Sequence, residues 1–288
     1  MHFFWWRVKA VEKVLQSLLL LALLVSLQGC GVKFVYQQIH WALPWYVDRA
    51  LDLSSGQEKE FKLRLSAQLS WHQQTQLPLY IKTLNEWERS LLNSRSASVF
   101  DRLLSRNQVH LVSLLEHLVS DLSPFLLSLS AKQRNTLFEL IHGSNQGYAS
   151  RYLSAETDLE QLRGEDVVDT VLFWFGSVSS VQKKEIIEAL SDYVATEPVV
   201  YLKREQKLSL FREIMTASIS DVQREERLDG FLNFPWYDMT EMEQKQFDHN
   251  AVLLISLFEK LLYSATLVQR RHAAAIVGDW AKELSQLL

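Results

Sequence analysis

Residues 178–194 read VSSVQKKEIIEALSDYV and contain both signals on which the fold prediction rests. Ser179-Ser-Val-Gln182 fits a capping box, in which the serine oxygen accepts a free backbone N–H of the first turn and the glutamine reaches back to the serine N–H. Apolar residues then follow at helical spacing, namely Ile186, Ile187, Leu190 and Val194. The stretch therefore predicts a capped helix with one buried face.

The same start signal occurs three more times, in Ser54–Gln57, Ser130–Gln133 and Thr240–Glu243. The irregular intervals between these starts argue against a solenoid of fixed period. The chain has 288 residues but only 9 glycines and 5 prolines, too few for a fold rich in turns. No convincing run of alternating strands is found. We predict an all-α fold, a multi-helix bundle of capped helical hairpins.

One polar segment divides the predicted helices into two groups. Residues 143–165 form a candidate linker between an N-terminal helical half, 30–142, and a C-terminal helical half, 166–288. The predicted helices are 35–52, 55–74, 78–93, 97–120, 124–129, 131–142, 166–176, 180–196, 199–220, 241–264 and 267–286.

The first thirty residues follow a different pattern from the rest of the chain. Arg7, Lys9 and Lys13 give this segment a positive start, and an unbroken apolar run follows at residues 18–25. The run is too short for a membrane span, which needs about 20 apolar residues, but it has the length of a signal-peptide core. Residues 1–29 are therefore predicted to be a cleaved signal peptide.

This segment ends in Leu27-Gln28-Gly29-Cys30, which resembles the lipobox of bacterial lipoproteins. The resemblance implies that Cys30, the only cysteine, receives a diacylglycerol on sulfur and an acyl chain on its new amine. Several acyl chains give a stable membrane anchor, whereas one does not. Gly31 stands where an aspartate would signal inner-membrane retention, so we expect the outer membrane, with the protein facing the periplasm. The alternative is a secretory signal or anchor helix that merely contains a cysteine.

Charge and composition exclude several classes of function. Loss of residues 1–29 would change the formal net charge from −4 to −6, because Arg7, Lys9 and Lys13 leave together with Glu12. A mildly acidic chain without a basic stripe is a poor candidate for nucleic-acid binding. One cysteine rules out an intrachain disulfide and any Cys-based metal cluster.

The usual motifs of enzymes and cofactor sites are absent from the sequence. It has no zinc-protease, phosphate-loop, dinucleotide-binding or G-x-S-x-G pattern. His110 and His117 are seven residues apart, about 10 Å along a helix, which is too far for one metal ion. We therefore predict neither a metal nor a cofactor.

Aromatic and polar residues concentrate in the first part of the mature chain. Asp48, Trp71, His72 and Tyr80 are our candidates for a groove that binds a ligand or peptide. The alternative is structural. Because neighbours on a helix point about 100° apart, Trp71 would then lie in the core and His72 at its edge, bonded to a carboxylate or carbonyl.

A second candidate site is the aromatic loop between residues 229 and 239. Four aromatic side chains surround a proline there, namely Phe231, Phe234, Trp236 and Tyr237. Such a loop is either a buried plug between helices or an exposed platform for a partner.

After the lipobox, the sequence contains four further motifs: Pro44-Trp45-Tyr46, the helix start at 53–57, Trp71-His72 and Leu77-Pro-Leu-Tyr80. Over about residues 27–92 this arrangement resembles an uncharacterised family of proteobacterial lipoproteins, filed as a domain of unknown function. The resemblance implies a mostly helical outer-membrane lipoprotein without an established activity, so it supplies no catalytic residues. The Leu-Ser-x-x-Gln helix starts are also similar to the Leu-Thr-x-x-Gln signature of small helical periplasmic chaperones.

These observations lead to one functional expectation and one alternative. We expect a lipid-anchored interaction, assembly or chaperone-like protein whose helical hairpins bind an envelope protein or peptide. The alternative is an enzyme that acts on an envelope polymer, with His72 and nearby carboxylates such as Asp48 as acid and base.

Overall fold

Helices account for nearly all of the chain that the structure, a computed structural model, describes: residues 31–93, 114, 117–118, 121–233 and 239–288. Within these ranges no β-strand occurs, so the predicted all-α fold is confirmed. Residues 121–128 are helical, and ten α-helices have both ends described. They are α1 Gly31–Leu51, α2 Ser55–Trp71, α3 Leu77–Asn93, α4 Ala131–Tyr152, α5 Leu159–Phe175, α6 Ser180–Leu190, α7 Glu197–Thr216, α8 Asp221–Asn233, α9 Glu241–Ser264 and α10 Leu267–Ser285.

All four predicted capping boxes are formed in both directions. At the start of α6, the Ser179 hydroxyl accepts the Gln182 N–H at 3.1 Å, and Gln182 Oε1 accepts the Ser179 N–H at 3.0 Å. The same reciprocal pair begins α2, α4 and α9. Two further boxes were not predicted. Ser220–Gln223 begins α8, a helix that is not predicted from the sequence, and Thr266–Gln269 begins α10.

The predicted helices 55–74 and 78–93 are not separated by a loop, because the chain is helical throughout the region before Pro78. Helices α2 and α3 are joined by a π-turn, His72–Gln76, in which the Leu77 N–H donates to the His72 carbonyl. A proline inside a helix lacks an N–H and its ring clashes with the carbonyl four residues earlier. The wider turn accommodates Pro78, and the Thr75 hydroxyl donates to the Trp71 carbonyl at 2.7 Å.

The segment 143–165, which the sequence suggests as a linker, is largely helical. Helix α4 continues past Gly143 to Tyr152, and α5 begins at Leu159, where Asp158 caps it. Packing explains why α4 does not stop at the glycine. The buried Asn145 side chain accepts from Arg204 Nε and donates to Glu205 on α7, which holds the second half of α4 in place.

The predicted helix 180–196 is shorter in the structure, because α6 ends at Leu190. The following loop is held by Asn250 of α9, whose amide accepts the Val194 N–H at 3.0 Å and donates to the Val194 carbonyl at 2.8 Å. By contrast, the stop predicted at Gly176 is confirmed. This glycine has φ +70° at the end of α5, and a Cβ there would lie 3.1 Å from the His272 ring.

The described chain forms two compact units, and their boundaries differ from those of the predicted halves. Unit 1 consists of residues 31–86 and 276–288, and unit 2 consists of the described residues between Trp87 and Ala275. In unit 1, α1 packs on α2. A small apolar core, formed by Leu77, Leu284 and Leu287, joins the C-terminal end of the chain to the start of α3.

Unit 2 has a larger apolar core. The pairs α4 with α7, α5 with α6, α6 with α9 and α7 with α8 pack against one another. Its buried residues include Val171, Phe175, Ile186, Leu190, Leu257, Leu261, Ala265 and Ala273. The Phe211 ring also packs on Phe138 at 5.4 Å between centroids.

Two buried charged residues of unit 2, Glu197 and Lys203, form ion pairs with other helices. Arg163 of α5 donates to Glu197 of α7 at 2.7 Å and lies 4.7 Å from the Tyr193 ring centroid. Burial favours a raised pKa for Glu197, but the hydrogen bond from Arg163, backbone hydrogen bonds and the charge of Arg163 outweigh burial and lower it. Lys203 of α7 pairs with Glu243 of α9 at 3.0 Å.

A helix must be about 20 residues long and mostly apolar to cross a bilayer. No single one of the described helices is both long enough and apolar enough to cross a membrane. Only α9 and α10 taken together meet the criterion, by length and composition, and they are bent by 117° at the break between them.

Candidate functional site

The candidate groove residues lie in unit 1, where α2 passes into the π-turn. Only residues 52–54 separate α1 from α2, with Asp52 in the left-handed region at φ 56°, so α2 runs back along α1. This hairpin brings His72, at the end of α2, against Tyr36, near the start of α1.

The Tyr36 hydroxyl connects the two helices. Its oxygen lies 3.2 Å from His72 Nδ1 and 3.2 Å from the carbonyl oxygen of Leu69. A phenol has one proton to donate and can also accept a hydrogen bond. All three atoms are satisfied when Tyr36 donates to the Leu69 carbonyl and accepts from Nδ1–H of a neutral His72, which leaves Nε2 as an acceptor.

Two phenol rings enclose the His72 imidazole. Tyr36 stacks on it with centroids 5.7 Å apart and 28° between the planes, and Tyr80 meets it edge-on at 5.4 Å. Burial lowers the pKa of His72, and burial raises the pKa of Tyr80. Burial, with a smaller effect of Tyr80, also raises the pKa of Tyr36. These three residues, the His72 cluster, are therefore uncharged at neutral pH.

Trp71 and the core of unit 1 border the His72 cluster. The Trp71 ring is partly buried, with its centroid 6.5 Å from that of His72. Tyr36 and Tyr80 also pack on Leu77, Leu284 and Leu287, so the cluster rests on the end of the chain. Gln73 of the π-turn reinforces this contact, because its side chain donates to the Leu287 carbonyl.

Asp48, the fourth candidate, does not join these residues. Its carboxylate accepts the Leu53 N–H at 3.1 Å, and its carbonyl accepts the Asp52 N–H at 2.7 Å. It therefore stabilises the turn after α1. Asp48 is twelve residues from Tyr36 on the same helix, about 18 Å along the axis at 1.5 Å per residue. The sequence grouped the two ends of one hairpin into a single groove.

The chemistry available to the His72 cluster follows from its neutral state. Imidazole Nε2 can accept a hydrogen bond, and the aromatic faces can stack on a ligand. The described contacts of His72 are with aromatic rings and the Tyr36 phenol, whereas Asp48, the carboxylate named in the acid–base alternative, is bonded within the turn after α1. Among the described residues, no group of three or more His, Cys, Asp or Glu is arranged to hold a metal ion.

The aromatic loop is described only at its first member. Phe231 lies on α8, where its ring stacks on Phe211 with centroids 5.5 Å apart and the Lys207 ammonium lies 5.6 Å from its centroid. For Phe231 this packing favours the interpretation as a plug. The other three members, Phe234, Trp236 and Tyr237, lie outside the described residues, as do Cys30 and His110.

Sequence reasoning missed two contributors to this region. Tyr36 is not among the site residues predicted from the sequence. Residues at equal distances from a short turn face one another in a hairpin. The contact between Tyr36 and His72 could therefore have been predicted from their similar distances to the turn between α1 and α2. The second contributor is the C-terminal pair Leu284 and Leu287, for which no local pattern indicates a contact with Leu77.

Comparisons with known proteins give one match. No curated protein and no solved structure shows significant similarity to the chain. One family model matches residues 49–235 and so includes Trp71, His72 and Tyr80, but neither the lipobox nor Tyr36. This match extends well beyond residues 27–92, over which the motifs resemble an uncharacterised family. The chain belongs to DUF6279, a family of unknown function.

Proposed function

We propose that the protein is an outer-membrane lipoprotein, anchored through acylated Cys30 and facing the periplasm. The sequence Leu27-Gln28-Gly29-Cys30 carries the proposal, since it ends an apolar run of signal-peptide length and contains the only cysteine. Helix α1 includes Gly31, the residue after Cys30, so an acyl group on Cys30 would be attached next to this helix in the sequence.

Membrane fractionation of a Cys30→Ala variant tests the anchor. We expect this variant to be lost from the outer-membrane fraction, because it has no sulfur to receive the diacylglycerol. Gly29→Ala is the matched control, since it keeps a small residue before the cut, and we expect it to fractionate as the wild type does. Unchanged outer-membrane localisation of Cys30→Ala would contradict the proposal.

For the helical body, we propose a non-enzymatic role as an interaction or assembly factor that binds an envelope protein or peptide. The observation that supports this role is the His72 cluster, three half-buried and uncharged aromatic groups at a break in a helix. Such groups recognise a ligand by stacking and by hydrogen bonds. π-turns inside helices are frequent at functional sites.

Crosslinking from a defined position in cells tests this role. A photoreactive phenylalanine analogue replaces Leu79, which is exposed beside Tyr80, and in a matched control it replaces the exposed Val222 of unit 2. We expect one discrete envelope protein to be captured from position 79 only, and less of it in a His72→Ala background. Identical adducts from both positions, or capture that does not depend on His72, would contradict the role.

A second candidate function is an enzyme acting on an envelope polymer. The lowered pKa of His72 supports it, because a neutral imidazole can act as a base at pH 7. This candidate predicts that the purified chain releases soluble fragments from an isolated envelope polymer. The release would be abolished in His72→Ala and retained in Trp71→Phe. Equal release by the wild type and His72→Ala would eliminate it.

A further inference from the structure

Helix α1 carries a row of exposed aromatic side chains. Phe34, Trp41 and Trp45 are 47%, 53% and 48% exposed, although each is a large apolar group. They lie within about 40° of one another around the helix axis and extend over about 16 Å, because they occupy positions i, i+7 and i+11. We call these three residues the aromatic stripe.

The opposite side of α1 already has its packing partners. Val32 and Tyr36 contact the core of unit 1, so the aromatic stripe is not the face by which α1 is held in the fold. Polar groups accompany the stripe rather than cover it. The Trp41 indole donates to the Gln38 side chain, and the Arg49 guanidinium lies 5.5 Å from the Trp45 ring centroid. Aromatic rings edged by polar groups suit a boundary between apolar and aqueous surroundings.

The position of the aromatic stripe in the chain indicates what covers it. Gly31, the first residue of α1, directly follows Cys30. The stripe therefore begins about 4.5 Å and ends about 21 Å along the axis from Gly31, the residue next to the proposed acyl group. A lipid anchored at Cys30 would bring the bilayer surface within reach of all three rings.

We propose that the aromatic stripe lies in the interfacial layer of the membrane to which the chain is anchored, with lipid as its occupant. This inference rests on the proposed acylation of Cys30. Tryptophan and phenylalanine favour the headgroup boundary, where interfacial helices bury their apolar face by about 5–10 Å. Helix α1 then lies along the membrane plane, and the His72 cluster, on the other side of α1, stays accessible from the periplasm.

Depth-sensitive fluorescence on the mature, acylated chain tests the inference. An acylated Cys30 has no free thiol, so single cysteines introduced by Trp41→Cys or Leu43→Cys can be labelled with an environment-sensitive dye. Leu43 is the matched control, because it lies on the same helix but about half a turn away, and it is also exposed. Circular dichroism confirms that each labelled variant is folded, before and after reconstitution into vesicles that contain nitroxide-labelled lipid.

We expect a blue shift and strong quenching by the nitroxide lipid at position 41, with little change at position 43. Equal responses at both positions in a chain whose mass shows acylated Cys30 would overturn the inference while leaving the anchor intact. A blue shift at position 41 without vesicles that grows with protein concentration would assign the stripe to a second copy of the chain and also overturn it. An unmodified Cys30 would instead refute the proposed anchor.

Discussion

Units 1 and 2 are stabilised by different means. Unit 2 encloses a large apolar core, and its buried residues Glu197 and Lys203 are each paired with a charge on another helix. Unit 1 has a smaller core of three leucines and is supported by hydrogen bonds to the C-terminal end of the chain, at the Glu283 side chain and the Leu287 carbonyl. The His72 cluster and the aromatic stripe both belong to unit 1. The groups best suited to recognition therefore lie in the unit with the smaller apolar core.

The largest expected effect comes from the core of unit 2. We expect Ile186→Ala to lower the free energy of unfolding by about 2–5 kcal/mol, because it removes a fully buried side chain and leaves a cavity. The matched control is Ile187→Ala, the exposed neighbour, with an expected change within about 0.5 kcal/mol. Urea denaturation measures both, and equal losses would contradict the described core.

The next effect concerns the loop after α6. Asn250→Ala leaves the Val194 N–H and carbonyl without their hydrogen-bond partner. We therefore expect this variant to lower the free energy of unfolding by about 2 kcal/mol. Hydrogen exchange of residues 191–196 measures the local consequence. The control is Asp248→Ala, which removes only an exposed bond to Gln244. Unchanged exchange in the Asn250 variant would show that this loop is held by other contacts.

A smaller effect on stability is expected in unit 1, where hydrogen bonds from one buried side chain hold the start of α1. The buried Glu283 carboxylate accepts the backbone N–H groups of Val32 and Lys33 at 2.8 and 3.2 Å, at the start of α1. We expect Glu283→Gln to lower the free energy of opening this end of α1 by about 1 kcal/mol. Faster exchange in α1 with unchanged exchange in α6 is the predicted result. Lys282→Gln, on the exposed side, is the control.

The smallest effect is a pH dependence. Burial lowers the pKa of His72 below its ordinary 6.5, so the unfolded chain binds this proton first as the pH falls. Stability is then lost between pH 6.5 and the folded pKa, and is retained above 6.5. Denaturation curves at several pH values measure how steeply the free energy of unfolding falls below pH 6.5. We expect His72→Phe to reduce this slope. An unchanged slope in this variant would contradict a buried, neutral His72.

Local signals made the fold predictable. A capping box involves residues only three apart, so the boxes at Ser54, Ser130, Ser179 and Thr240 could be identified from the sequence alone. Ser220–Gln223 carries the same signal and was overlooked. Helix ends that depend on distant packing were predicted less well. Helix α4 continues past Gly143 because Asn145 is bonded to α7.

The candidate site could be predicted only in part, because its members come from distant stretches of the chain. Trp71, His72 and Tyr80 share one local segment, and the structure brings them together. The exclusion of Asp48 and the inclusion of Tyr36 depend on the register of the α1–α2 hairpin. The contact with Leu284 and Leu287 depends on the return of the C-terminal helix, which no local pattern reveals.

The most direct test of the central claim is the intact mass and N-terminal sequence of the mature chain extracted from membranes. Our account predicts that the chain begins at Cys30 and carries a diacylglycerol on sulfur and an acyl chain on the amine. An N-terminus at another residue, or an unmodified Cys30, would contradict it.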